Sequence, residues 1–271
     1  MTAPVEAMLR RHRALVIAAI IVLTALAWIW TMTGAGMGMD QSAMSVPQPG
    51  DGHAMPGMAM AGDGARAASW PAARIGLTFS MWWVMMVAMM LPSAAPAILL
   101  YSKAAAGNRD AVPPATGSFL FGYLLIWGVY SLVATLLQML LERSDLLARM
   151  NMASTSGTFS AGLLIAAGLY QLSPLKEVCL RHCRSPAHFL SRHYAPGRAA
   201  AMRMGIIHGS FCVGCCWLLM ALLFVGGVMN LVWIALLTLL VAIEKLLPLG
   251  RYFAIAAGLG CIAWGGFILA A

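Results

Sequence analysis

Apolar residues run through this chain in long blocks rather than in the short alternating stretches of a sheet protein. Seven blocks, residues 14–32, 77–101, 117–141, 157–175, 204–225, 228–244 and 252–271, have the length a helix needs to cross a bilayer, about 17–25 residues. Polar text separates them, and nothing repeats with the two-residue period of a membrane barrel. The pattern predicts an all-α, polytopic membrane helix bundle of about seven transmembrane helices. It divides the chain into a tail with a first anchor (1–32), a polar loop (33–76) and a six-helix membrane domain (77–271).

Composition agrees. Of 271 residues, 61% are hydrophobic and 10% charged, where a soluble domain carries about a quarter charged residues. Orientation follows from the basic residues. With a cytoplasmic N-terminus, 13 of the 17 lie in inside segments: Arg10, Arg11, Arg13, Lys103, Arg109, Lys176, Arg181, Arg184, Arg192, Arg198, Arg203, Lys245 and Arg251. Arg66, Arg74, Arg143 and Arg149 remain outside, and this asymmetry sets the N-terminus inside. It also accounts for the net charge of +8, so nucleic acid is not expected as a partner. The lipid bilayer is. The first block follows a basic RRHR but runs long for a signal sequence, and Thr33-Gly-Ala-Gly36 offers no clear cleavage site, so an uncleaved anchor is expected. No internal repeat points to an inverted-repeat transporter.

Methionine changes the picture. Seven of the 21 methionines, Met32, Met37, Met39, Met44, Met55, Met58 and Met60, fall at the start of or within the first external loop, together with His53. Thioether sulfur is a soft ligand that selects Cu(I) over harder ions, and it survives where a thiol would risk oxidation. The loop therefore reads as a copper collector, against the plainer alternative of a Gly/Ala/Met filler. A second group opens the next block. Met81, Met85 and Met89 repeat every fourth residue, with Met86 and Met90 on the adjacent strip. Adaptable core packing and a metal conduit both explain this stripe. Pro92 and Pro96 are expected to interrupt or kink its helix.

All six cysteines fall late in the chain, which excludes a disulfide framework in the external loops. His208, Cys212, Cys215 and Cys216 stand at i, i+4, i+7 and i+8 of one predicted span, on roughly one helix face. Ligand-type side chains inside a bilayer are costly unless they have a task, and this is a soft-metal set suited to copper as Cu(I), with zinc as the second choice. Cys179, His182 and Cys183 form a CxxxC-type group in the most basic loop, expected to face the cytoplasm. Glu244-Lys245 reads as an anchoring pair at the inner interface, or with Glu244 turned into the bundle. Tyr170 and Gln171 are placed to hydrogen-bond inside it.

Three separated motifs, WWVMMVAMMLPSAAP, YQLSPLKEVCLRHC and HGSFCVGCCWLLM, followed by a late Glu-Lys pair, resemble an uncharacterised bacterial family of predicted metal-binding integral membrane proteins (domain of unknown function 2182). The resemblance covers about residues 75–271. It implies a multi-pass protein of the bacterial inner membrane that binds metal through these Cys and His positions, and it supplies no reaction.

The expected function is copper binding in import or delivery across the inner membrane. Met81, Met85, Met86, Met89 and Met90 would relay the ion to His208, Cys212, Cys215 and Cys216, and Cys179, His182 and Cys183 would receive it. A membrane metalloenzyme or metallochaperone is the expected partner. The alternatives are a membrane-embedded metal- or thiol-dependent oxidoreductase, for which the adjacent Cys215 and Cys216 would serve, and a non-catalytic assembly factor. No nucleotide-binding loop is present, so any transport would be passive or gradient-coupled.

Overall fold

The computed structural model describes residues 3–33, 70–107, 112–148 and 152–270. The Met-rich loop, with Met37 to Met60 and His53, lies outside the described residues. Among the described residues ten helices follow in order: α1 (Ala3–Met32), α2 (Ala72–Gly107), α3 (Val112–Arg143), α4 (Gly157–Leu172), α5 (Pro174–Arg184), α6 (Pro186–His193), α7 (Arg198–Ala221), α8 (Leu223–Gly226), α9 (Leu231–Leu246) and α10 (Gly250–Ala270). Among the described residues no strand forms, and one isolated bridge joins Leu147 to Ser154.

Among the described residues five helices are long and apolar enough to cross a bilayer, and six if the bent pair α4–α5 counts as one span. The sixth expected span, α9, has 16 residues, a rise of about 24 Å against a hydrocarbon layer of about 30 Å. The distribution of side chains suits lipid. Leu125, Val129, Val133, Leu136, Leu259 and Phe267 point outward, while Gln138, Glu142, Gln171, Lys176, Glu244 and Lys245 are buried. This inverts the order of a water-soluble protein and leaves an apolar exterior far larger than aqueous monomers carry.

Local chemistry sets the helix ends. The Ser156 hydroxyl accepts from the Phe159 N–H at the start of α4, and Asn230 accepts from Trp233 N–H at the start of α9. Ser173 is held extended (φ −72°, ψ 148°), as a residue before proline must be. It ends α4, caps α5 through the Lys176 N–H, and turns the chain by 63°. The stretch read from sequence as a basic loop is therefore a helix folded back on the bundle. Pro92 and Pro96 lie within α2, which continues through both rather than being interrupted.

Helix α2 packs against α1, α3 and α9, and α3 lies along α7. Glycine sets that last seam. A Cβ on Gly122 would collide with the Met202 carbonyl, and one on Gly205 with the Phe119 carbonyl. The two backbones meet without intervening side chains, which brings Cys212 of α7 against α3.

Candidate metal centre

The four predicted positions of α7, His208, Cys212, Cys215 and Cys216, are all buried. They do not act as one face. Cys212 Sγ lies 3.0 Å from Lys245 Nζ of α9 and 3.2 Å from the Tyr123 hydroxyl of α3. Cys216 Sγ stands 3.9 Å from Met90 Sδ of α2 and 3.9 Å from Lys245 Nζ. Lys245 Nζ in turn is 3.8 Å from Met90 Sδ. Cys215 turns toward α5, where its Sγ is 3.9 Å from that of Cys183. Cys183 also interacts with Cys212, and Cys215 with Cys216. Two thiols and one thioether thus surround a single ammonium, and the Cys215–Cys183 contact lies beside them.

Backbone chemistry holds the thiols. Cys215 Sγ and Cys216 Sγ both donate to the Cys212 carbonyl, at 3.1 and 2.9 Å. Tyr123 donates to the Met90 carbonyl at 3.2 Å, tying α3 to α2 beside the cluster. All six cysteines are free thiols.

The remaining predicted residues sort by position. Cys179, one turn before Cys183, covers Gly214 of α7: a Cβ there would sit 3.0 Å from its Sγ. His182 points elsewhere on α5, stacked on Phe211 at 4.0 Å between ring centroids, with Nδ1 2.9 Å from the Val178 carbonyl. His208 packs near the rings of Phe119 and Tyr123, at 6.0 and 5.9 Å. Met81, Met85, Met86 and Met89 are buried along α2 before Met90, and Met90 is the one that reaches a cysteine sulfur.

The inner-interface reading of Glu244-Lys245 is corrected. Glu244 is 2% and Lys245 6% exposed. Adjacent helix positions diverge by about 100°, so the two enter different contacts. Glu244 accepts from Lys176 at 2.5 Å and from Gln171 at 2.7 Å, as its bundle-facing alternative required, while Lys245 goes to the sulfurs. The expected interior role of Tyr170 also holds, through its hydroxyl on the Gly214 carbonyl. Sequence reading missed Lys245 and Tyr123 as parts of the centre. Their signal was a charge and a phenol inside apolar blocks.

Among the described residues no three His, Cys, Asp or Glu side chains are spaced to hold a metal ion as they stand. The sulfurs surround the ammonium at 3.0–3.9 Å, whereas metal–thiolate bonds are about 2.3 Å. The donor set itself is soft, thiol and thioether, and suits Cu(I).

The copper chaperone family model PpoB2 matches residues 79–268. The chain belongs to this family. The PpoB2 match runs from within α2 into α10 and takes in every sulfur of the cluster, together with Tyr123 and Lys245. Its description is metal-related, as the motifs suggested, and names copper, so the match supports a copper-related function. The first helix and the Met-rich loop fall outside the match. No curated protein and no solved structure matches the chain.

Proposed function

We propose that this protein holds Cu(I) as cargo inside the membrane and passes it inward or to a membrane metalloenzyme. The observation that carries this reading is the convergence of Cys183, Cys212, Cys215, Cys216 and Met90 around one buried point. The cluster joins two groups that lie 29 or more residues apart in sequence, Cys183 from the CxxxC helix and the α7 cysteines. Simple packing does not need five sulfurs at one place in a bilayer.

The route follows from ligand softness. Thioethers of the Met-rich loop collect the ion outside, and Met81, Met85, Met86 and Met89 lead along α2 to Met90. Thiols take over there, and Cys183 with Cys179 forms the exit on α5. Thioether followed by thiol gives a rising affinity, which favours inward movement or storage. Release then requires a partner thiol or a weakened site. With the N-terminus inside, α5 lies toward the cytoplasm. Zinc is the second choice: the thiols alone would also suit it, and the thioether of Met90 adds the preference for Cu(I).

Copper stoichiometry of the purified protein tests the reading, with wild type beside a Cys212→Ser/Cys215→Ser/Cys216→Ser variant. About one Cu(I) per chain in the wild type, lost in the variant, is the expected result. Equal copper in both would refute the site. Uptake into right-side-out and inside-out vesicles then separates movement from storage, with inward flux expected.

A further inference from the structure

Lys245 stands where a metal would. Its Nζ is 3.0 Å from Cys212 Sγ, 3.8 Å from Met90 Sδ and 3.9 Å from Cys216 Sγ, and its side chain is buried. An ammonium out of water demands a compensating partner. The carboxylate next to it in sequence does not supply one. Glu244 Oε2 is taken by Lys176 at 2.5 Å, and Oε1 by Gln171 at 2.7 Å. Lys245 does close the last turn of α9, where a cation is favoured by the helix dipole. Its amine nevertheless reaches across to sulfur atoms of α2 and α7, and the charge acts on Cys183 and Cys215 as well.

We propose that the Lys245 ammonium is the resident cation of the sulfur cage and competes with Cu(I) for Met90, Cys212 and Cys216. This rests on the copper reading above and adds a gate to it. The cage sulfurs stand at ammonium distance, and an ion bound by them must sit within about 2.3 Å of each thiolate, a volume the amine now fills. Loading therefore requires the Lys245 side chain to swing out, and its return opposes rebinding after release. A built-in competitor is useful to a carrier. It weakens a site that four thiols and a thioether would otherwise make too tight to empty, and it keeps a compensated charge in the cage between cargoes.

The opposite role for the same geometry is a fixed charge that draws thiols toward thiolate and so strengthens metal binding. The two roles move affinity in opposite directions. Cu(I) affinity is measured by competition with a coloured chelator of known strength, on full-length protein in detergent, for wild type, Lys245→Leu and Lys245→Gln, neither of which adds a sulfur ligand. Both variants remove the charge, and the glutamine can still donate to sulfur, so it serves if the leucine variant fails to fold. Binding tighter by roughly tenfold or more is expected in either variant, the factor that follows if the ammonium-filled form outnumbers the open one by about ten to one. Unchanged or weaker binding, with the wild type still loading copper, would overturn the competitor role and leave the copper site standing. No Cu(I) binding by wild type or either variant would overturn both.

Discussion

Replacing Glu244 with alanine removes the carboxylate that Lys176 and Gln171 share. Both members of the ion pair are 2% exposed, with Nζ and Oε2 2.5 Å apart. Deleting one partner of such a pair leaves an uncompensated charge in low dielectric, a loss of about 3–5 kcal/mol. The Arg181–Glu177 pair on the neighbouring helix turn supplies the contrast, since Arg181 is 75% exposed and such contacts contribute about 0–1 kcal/mol. The expected difference between Glu244→Ala and Arg181→Ala is therefore several kcal/mol, on the order of 10 °C in Tm for a chain of this size. Thermal unfolding of the purified protein in one detergent, followed by near-UV circular dichroism, reads it directly. The double variant Lys176→Met/Glu244→Leu removes both charges and should recover most of the loss, because apolar replacement of a whole buried pair is often neutral. Similar melting for Glu244→Ala and Arg181→Ala would refute the argument. So would a double variant as unstable as the single one, which would mean that the shape of Glu244 matters and its charge does not.

Three other substitutions probe separate parts of the structure. Gly205→Leu forces a side chain against the Phe119 carbonyl and should cost at least 1–3 kcal/mol, read as lost yield and melting temperature, while Gly260→Leu, with no neighbour within 4 Å of its Cβ position, should be tolerated. Tyr123→Phe removes the hydroxyl shared by Cys212 and the Met90 carbonyl; a destabilisation of about 1–3 kcal/mol and faster alkylation of Cys212 are expected, and unchanged labelling would count against the contact. Cys183→Ser should weaken Cu(I) binding in chelator competition, whereas Cys261→Ser, on α10 away from the cluster, should leave it unchanged.

The helical class, the burial of the Met stripe and the burial of His208, Cys212, Cys215 and Cys216 were legible in the sequence because each follows from local periodicity and composition. Long apolar blocks require helices, and a three-to-four-residue spacing places side chains on a face. The centre itself was not legible, because its contacts are set by the packing of separate helices. Cys183 looked distant from Cys215 until Ser173-Pro174 turned the chain by 63° and laid α5 against α7. Lys245 looked like an interface anchor because it ends an apolar block. In the structure that end of α9 is buried in the bundle. Tyr123 carried no motif at all, and only the glycine seam between α3 and α7 brings its hydroxyl to Cys212.

The centre is assembled from α2, α3, α5, α7 and α9, and each contributes a group that is costly to bury alone. Under the copper reading proposed above, that arrangement couples folding to metal chemistry. The ion pair of Lys176 with Glu244 joins α5 to α9, the helices that carry Cys183 and Lys245, so one contact fixes two groups of the cluster at once. Adjacent residues then divide the work: Glu244 locks while Lys245 faces the sulfurs, and Cys215 faces α5 while Cys216 faces α2. A vicinal Cys215–Cys216 disulfide would pull both sulfurs away from these partners and from the Cys212 carbonyl that they share. The geometry therefore favours two adjacent thiols that serve opposite sides of one helix, which suits passing a soft ion across α7 better than cycling electrons between its neighbours.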